Sequence, residues 1–157
     1  MKVLFVCTGN TCRSLMAQLL LEDLIRRKGL SGWEASSCGV AADPSFPVPG
    51  EVHRVMGALG IAVGAHTPRP VSEALMDRAD AVLAMTKSQR DLLIGRFPGH
   101  RGKTRLLLGF AGAGEEDIED PIGASDEEYA RCRDTLARAL TEIVDGDADE
   151  KHKKPGS

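Results

Sequence analysis

The chain has 157 residues, 42% of them hydrophobic and 27% charged, with a formal net charge of −3. That length suits one domain with a sizeable core, and the charge balance lacks the basic excess of a nucleic-acid binder. No apolar run approaches the roughly 20 residues of a membrane-spanning helix, and the opening Met1-Lys2-Val3-Leu4-Phe5-Val6 gives way to polar Thr8-Gly9-Asn10 too soon for a signal peptide.

A cytoplasmic protein is therefore expected, with neither nucleic acid nor membrane as partner, and a monomer or weak dimer as its state. The four cysteines, Cys7, Cys12, Cys38 and Cys132, show no zinc-type spacing. A domain of this size does not need disulfides, so free thiols are expected.

In chain order, Lys2 to Val6 reads as a buried strand and Thr8 to Thr11 as a polar loop. Leu15, Met16, Leu19, Leu20, Leu24 and Ile25 then recur at helical spacing to about Lys28, where a basic last turn and Gly29 end the helix. Trp33 to Cys38 is a second strand, and the prolines at 44, 47 and 49 make 39–50 a loop. Val52, Val55, Met56 and Leu59 mark a second helix stopped by Gly60, and Ser72 caps a short third one through Asp77. Asp80 to Met85 is a strand, Thr86 caps a helix to about Gly95, and Thr104 to Leu108 is a fourth strand. The glycine-rich, acidic stretch 109–124 is a long loop of the kind that often carries function. Ser125, with Glu128 three residues on, opens a last helix along Tyr129, Cys132, Leu136, Leu140 and Ile143. The predicted organisation is one domain over 1–145 and a flexible polar tail over 146–157. Alternating strands and helices predict an α/β fold with a parallel sheet covered on both faces, and ligands at the carboxyl ends of its strands.

Cys7 stands at such an end, in the run Cys7-Thr8-Gly9-Asn10-Thr11-Cys12-Arg13-Ser14. Gly9 lets the backbone turn and approach an anion closely. Successive N–H groups in such a turn make a nest for phosphate oxygens, and the following helix adds its positive end. Arg13 offers a two-pronged fork to the same oxygens. That field favours a thiolate at Cys7, and Ser14 can donate to it. No metal or other cofactor is expected, because the nest and Arg13 already supply positive charge. Further along, the acidic loop carries the carboxylates Asp117, Glu119 and Asp120, the last directly before Pro121. Taken alone, each has a plain reading: a core cysteine, an Asp-Pro turn.

The loop resembles C-x-G-N-x-C-R-S of the low-molecular-weight protein tyrosine phosphatase family. The resemblance extends over roughly residues 1 to 145, through Ser37-Cys38-Gly39-Val40, Asp80-Ala81-Val82-Leu83-Ala84-Met85 and Asp120-Pro121. It implies a three-layer α/β/α fold with a four-stranded parallel sheet. It also implies a phosphocysteine intermediate on Cys7, with Arg13 and Asp120 as its catalytic companions. Thr8, Gly9, Asn10, Thr11, Cys12 and Ser14 would line the substrate. Ser37 and His66, with Asn10, would form the network that holds the loop in shape.

Two positions bear on the substrate, which the resemblance makes a phosphorylated protein. Thr11 stands where tyrosine-directed members carry an aliphatic residue, and Ile122-Gly123 where they carry aromatics. Thr11 and the run Asp120 to Ser125 resemble the bacterial protein arginine phosphatase branch, where the threonine makes polar contact near the leaving group. Two residues depart from the pattern: Leu15 replaces a common proline, and Ile122 replaces the phenylalanine of the arginine branch. Phosphoarginine is the expected substrate and phosphotyrosine the alternative. Thiol-coupled arsenate reductases share the loop but need further cysteines, typically near 80 to 90, where this chain has none. A non-catalytic phosphate-binding module should lack the cysteine or the acid, and both are present. Cys12, beside Cys7, is a candidate partner for a reversible protective disulfide or simply a small packing residue.

Overall fold

A computed structural model describes residues 1–153, with side chains through Lys151. Four parallel strands form one sheet in the order β2-β1-β3-β4. They are β1 (Lys2–Cys7), β2 (Glu34–Gly39), β3 (Ala81–Ala84) and β4 (Thr104–Leu106). The helices are α1 (Arg13–Lys28), α2 (Gly50–Gly57), α3 (Glu73–Arg78), α4 (Lys87–Arg96), the single turn α5 (Leu107–Phe110) and α6 (Asp126–Lys153). A 3-10 segment covers Pro98–Lys103. Among the described residues no helix is long and apolar enough to cross a membrane.

The alternation of side chains along β1 divides the core in two. Val3, Phe5 and Cys7 face a large cluster built with α1, α2 and α6. Leu4 and Val6 face a smaller one that contains Met76 of α3 and Leu93 of α4. Each face of the sheet is thus covered by helices, which makes the three layers. β1 pairs with β2 on one side and with β3 on the other. The chain runs outward from β1 to β2, then crosses back to β3. Such a reversal opens a crevice beyond the carboxyl ends of the two central strands. Cys7 ends β1 at that crevice, and Met85 follows β3 there.

Local chemistry sets the boundaries. Gly29 closes α1 in the left-handed conformation at φ 61°. Ser72 caps α3 by accepting from the Leu75 N–H. Thr86 and Gln89 form a complete capping box at the start of α4. At α6 only the forward half of the predicted box is made, with Glu128 N donating to Ser125 Oγ at 3.4 Å. His100 Nε2 lies 3.0 Å from Glu73 Oε1 and 2.9 Å from Asp77 Oδ1, clipping the 3-10 segment to α3.

Three expectations are corrected. Leu59 does not belong to the apolar face of α2, which ends at Gly57 and leaves that side chain 49% exposed. β4 stops at Leu106, where the chain turns into α5 instead of continuing as a strand. The last helix does not end near Asp145: residues 146–153 continue it, with a Lys151–Asp147 pair at 2.7 Å one turn apart. Of the predicted tail, 154–157 lie outside the described residues.

Gly39, the last residue of β2, packs against the loop that follows β1. A Cβ there would lie 2.4 Å from the Thr8 carbonyl oxygen and 3.1 Å from the Asn10 nitrogen. Backbone on both sides leaves little room to relax. Gly39→Ala is expected to lower stability by about 1–3 kcal/mol, read from urea unfolding midpoints.

Candidate active site

The loop between β1 and α1 closes around the Cys7 sulfur. Ser14 Oγ lies 2.9 Å from Cys7 Sγ, and the Asn10 N–H donates to that sulfur at 3.3 Å. α1 begins at Arg13 with no side-chain cap and no acidic residue in its first turn. Its amino end is therefore left open, and an anion is the natural partner for the free N–H groups there. The loop cysteine lies at the focus of that field.

Asn10 holds the loop in shape. Its φ is 58°, a left-handed conformation that few residues other than glycine adopt and that Asn tolerates best. Every polar atom of the residue is engaged. Nδ2 donates to Ser14 Oγ and Ser37 Oγ, both at 2.9 Å, and Oδ1 accepts from the Arg69 N–H at 3.1 Å. The carbonyl oxygen accepts from His66 Nε2 at 2.7 Å. Ser37 in turn donates to Gln18 Oε1 at 2.6 Å, and Arg69 Nε donates to the Ser37 carbonyl at 2.9 Å. Asn10, Ser37 and His66, named from the sequence, are brought together. Gln18 and Arg69 were not foreseen: Gln18 sits one helical turn after Ser14, whereas Arg69 contributes partly through its backbone, which leaves no sequence signal.

Arg13 is only 5% exposed. Its Nη1 donates to the Ile118 carbonyl at 2.9 Å, and its Nη2 lies 3.6 Å from Asp120 Oδ2. The long loop thus delivers the Asp120 carboxylate to the edge of the loop around Cys7, where its side chain is 42% exposed. Asp120 Oδ1 also accepts from the Ile122 N–H at 3.0 Å, an Asx turn that fixes the carboxylate. Asp117 is occupied elsewhere: it accepts from the Lys87 N–H at the start of α4 at 2.8 Å. Glu119 is exposed and adds charge to the same loop. A cavity of about 540 Å³ between Lys2, Glu34 and Arg78 lies at the opposite, amino ends of the strands and, of these groups, is lined only by Arg69.

All four thiols are free and buried. Burial pushes the Cys12 thiol far up, reinforced by Cys132, Cys7 and Asp120 and opposed by Arg13. Burial likewise raises Cys38 to about 12 and, against the pull of Arg13, Cys132 to about 11. Burial thus favours the protonated form of all three near neutrality. Among the described residues no buried side-chain nitrogen or oxygen lacks a partner, so the polar groups around the loop are held in place before any ligand arrives.

Residues 2–154 match the family described as low molecular weight phosphotyrosine protein phosphatase. A protein-arginine-phosphatase of Geobacillus stearothermophilus is 38% identical over 92% of this chain and 94% of its own. The solved structure of YwlE arginine phosphatase from the same organism superposes with a TM-score of 0.89 at 35% identity, covering 99% of this chain and 98% of its own. A cysteine-to-serine mutant of YwlE arginine phosphatase, solved with a phosphorylated active-site serine, gives 0.88 at 33% identity over 99% of this chain and 98% of its own.

The buried thiols set an alkaline limit. Cys132 ionises near 9.0 in the unfolded chain and at about 11 in the folded one. Its contribution is fully present below pH 9 and is lost as pH climbs through 11, because the unfolded state releases its proton first. The full loss amounts to about 2–3 kcal/mol. Melting temperature is expected to fall across that range, with a shallower slope in Cys132→Val.

Proposed function

The chain belongs to the low molecular weight phosphotyrosine protein phosphatase family, and we propose that this cysteine-dependent protein phosphatase removes phosphate from arginine side chains of proteins. The observation that carries the chemistry is the convergence of Cys7 Sγ, the open end of α1, Arg13 and Asp120 at one loop. The Cys7 thiolate attacks phosphorus in line with the leaving group. Loop N–H groups and the Arg13 guanidinium take the charge of the three equatorial oxygens. Asp120 gives its proton to the leaving nitrogen as the P–N bond breaks. Phosphocysteine remains. The Asp120 carboxylate then takes a proton from water, the water oxygen attacks phosphorus, and the S–P bond breaks to release inorganic phosphate and the thiolate. The phosphorylated serine in the YwlE mutant supports placing the phosphoryl group on the corresponding side chain.

The walls of the loop favour a guanidinium over a phenol ring. The acid loop contributes Glu119, Asp120 and Ile122, the last 64% exposed, and no aromatic. The single tyrosine, Tyr129, is buried in the core, where it cannot stack on a substrate. A carboxylate pairs well with a cationic leaving group. Thr11 lies in the same loop, 8% exposed, and its hydroxyl would make polar contact with that group.

Peptides bearing phosphoarginine and phosphotyrosine separate the readings. The kcat/KM is expected to be higher on phosphoarginine, and Thr11→Ile to shift the ratio towards phosphotyrosine; a strong wild-type preference for phosphotyrosine would refute the arginine assignment. Cys7→Ser should abolish p-nitrophenyl phosphate turnover. Asp120→Asn should slow the phosphoarginine reaction about 10²–10⁴-fold, and slow p-nitrophenyl phosphate less, since nitrophenolate leaves without a proton.

A further inference from the structure

Gln89 is the third residue of α4 and has no part in the chemistry above. Its N–H donates to Thr86 Oγ1 at 3.2 Å, and its Oε1 accepts from Thr86 N at 3.1 Å and Met85 N at 3.2 Å. A capping box of this kind usually faces solvent, yet Gln89 is 5% exposed. Two N–H donors on Oε1 fix which way the amide points. Nε2 is thereby directed across the crevice between β1 and β3, where it donates to Thr8 Oγ1 at 3.0 Å. Thr8 is the residue directly after Cys7.

We propose that Gln89 is a positioning residue for the phosphate loop, acting through the Thr8 hydroxyl to hold the Cys7-Thr8-Gly9 backbone in its phosphoryl-binding shape. The proposal rests on the phosphatase reading above. Gly9 has no side chain to anchor this stretch, and its backbone is the most pliant in the loop. On the β2 side the Thr8 carbonyl accepts from the Ala41 N–H at 3.0 Å. Gln89 supplies the hold on the β3 side. The far end of the loop is tied to the same corner: Arg13 Nη1 donates to the Ile118 carbonyl at 2.9 Å, and the Ile118 N–H donates to the Met85 carbonyl at 2.9 Å. Both ends of the loop therefore hang on Met85–Gln89. A nest loosened at Thr8 still admits substrate but grips the trigonal phosphoryl group less well, so the loss falls on kcat more than on KM.

The test is a double-mutant cycle on p-nitrophenyl phosphate, with orthovanadate affinity measured by calorimetry. Thr8→Val removes the acceptor and leaves the capping box intact. Its kcat is expected to fall about fivefold, the scale of one lost neutral hydrogen bond, with KM changed less than about twofold and vanadate affinity falling with kcat. Gln89→Leu should lose at least as much and also melt lower, and the double variant should lose no more kcat than Gln89→Leu alone. Gln89→Met takes its place should Leu fail to fold. Wild-type kcat and vanadate affinity in Thr8→Val would overturn the proposal. So would losses that multiply in the double variant, since the Thr8 hydroxyl would then act on substrate by itself. A wild type without turnover would instead sink the phosphatase reading, while the vanadate titrations would still decide whether Gln89 shapes the loop.

Discussion

Asn10 at φ 58° is the constraint on which the site depends. A loop that points consecutive N–H groups at one centre must bend through a backbone conformation that costs free energy for any side-chain-bearing residue. The chain meets this cost with hydrogen bonds that converge on Asn10 from three separate segments: Ser14 in α1, Ser37 in β2, and His66 and Arg69 in the connection to α3. The bonds to Ser14 and Ser37 are buried and those to His66 and Arg69 part-buried, so each is stronger than its counterpart in water, and losing a buried one would leave its partner without a substitute. The strain is localised where an anion will sit, and the support is spread through the sheet.

Much of this was legible because the phosphate loop is contiguous. Eight successive residues carry the sulfur, the turn, the fork and the helix start, and the strand before them is too apolar to be anything but central. Asp120 was legible through its Asp-Pro context and resemblance. The supporting contacts were harder to read in proportion to how much of them is backbone or distant in sequence. Arg69 uses its N–H, and Ile118 uses both its N–H and its carbonyl. Neither use depends on side-chain identity. Gln89 lies between these cases. Threonine followed three places later by glutamine is a known helix-start pattern, but nothing local says that the same amide reaches Thr8. The end of α6 was missed for another reason. A helix that leaves the core loses its apolar stripe, and charged pairs at one-turn spacing then sustain it without any hydrophobic signal.

The electrostatics of the site come from opposed charges that face each other until substrate arrives. Arg13 is buried and points at the carboxylate of Asp120 across 3.6 Å, longer than a direct hydrogen bond. A phosphoryl group entering the loop brings negative charge that competes for the guanidinium. That competition would release Asp120 for the leaving group and the water. Fixing Arg13 from behind through the Ile118 carbonyl keeps the fork in place while its partner changes.

The uncapped start of α1 carries a consequence for the whole molecule. Most helices of this length end their free N–H groups on a serine, threonine or aspartate side chain, and this one does not. The missing cap has to come from solution. Any tetrahedral oxyanion that settles there completes the helix, and by mass action it stabilises the folded chain in proportion to the logarithm of its concentration. The product of the proposed reaction is such an ion. The same open helix end that admits substrate therefore couples the stability of the fold to the phosphate content of the surroundings.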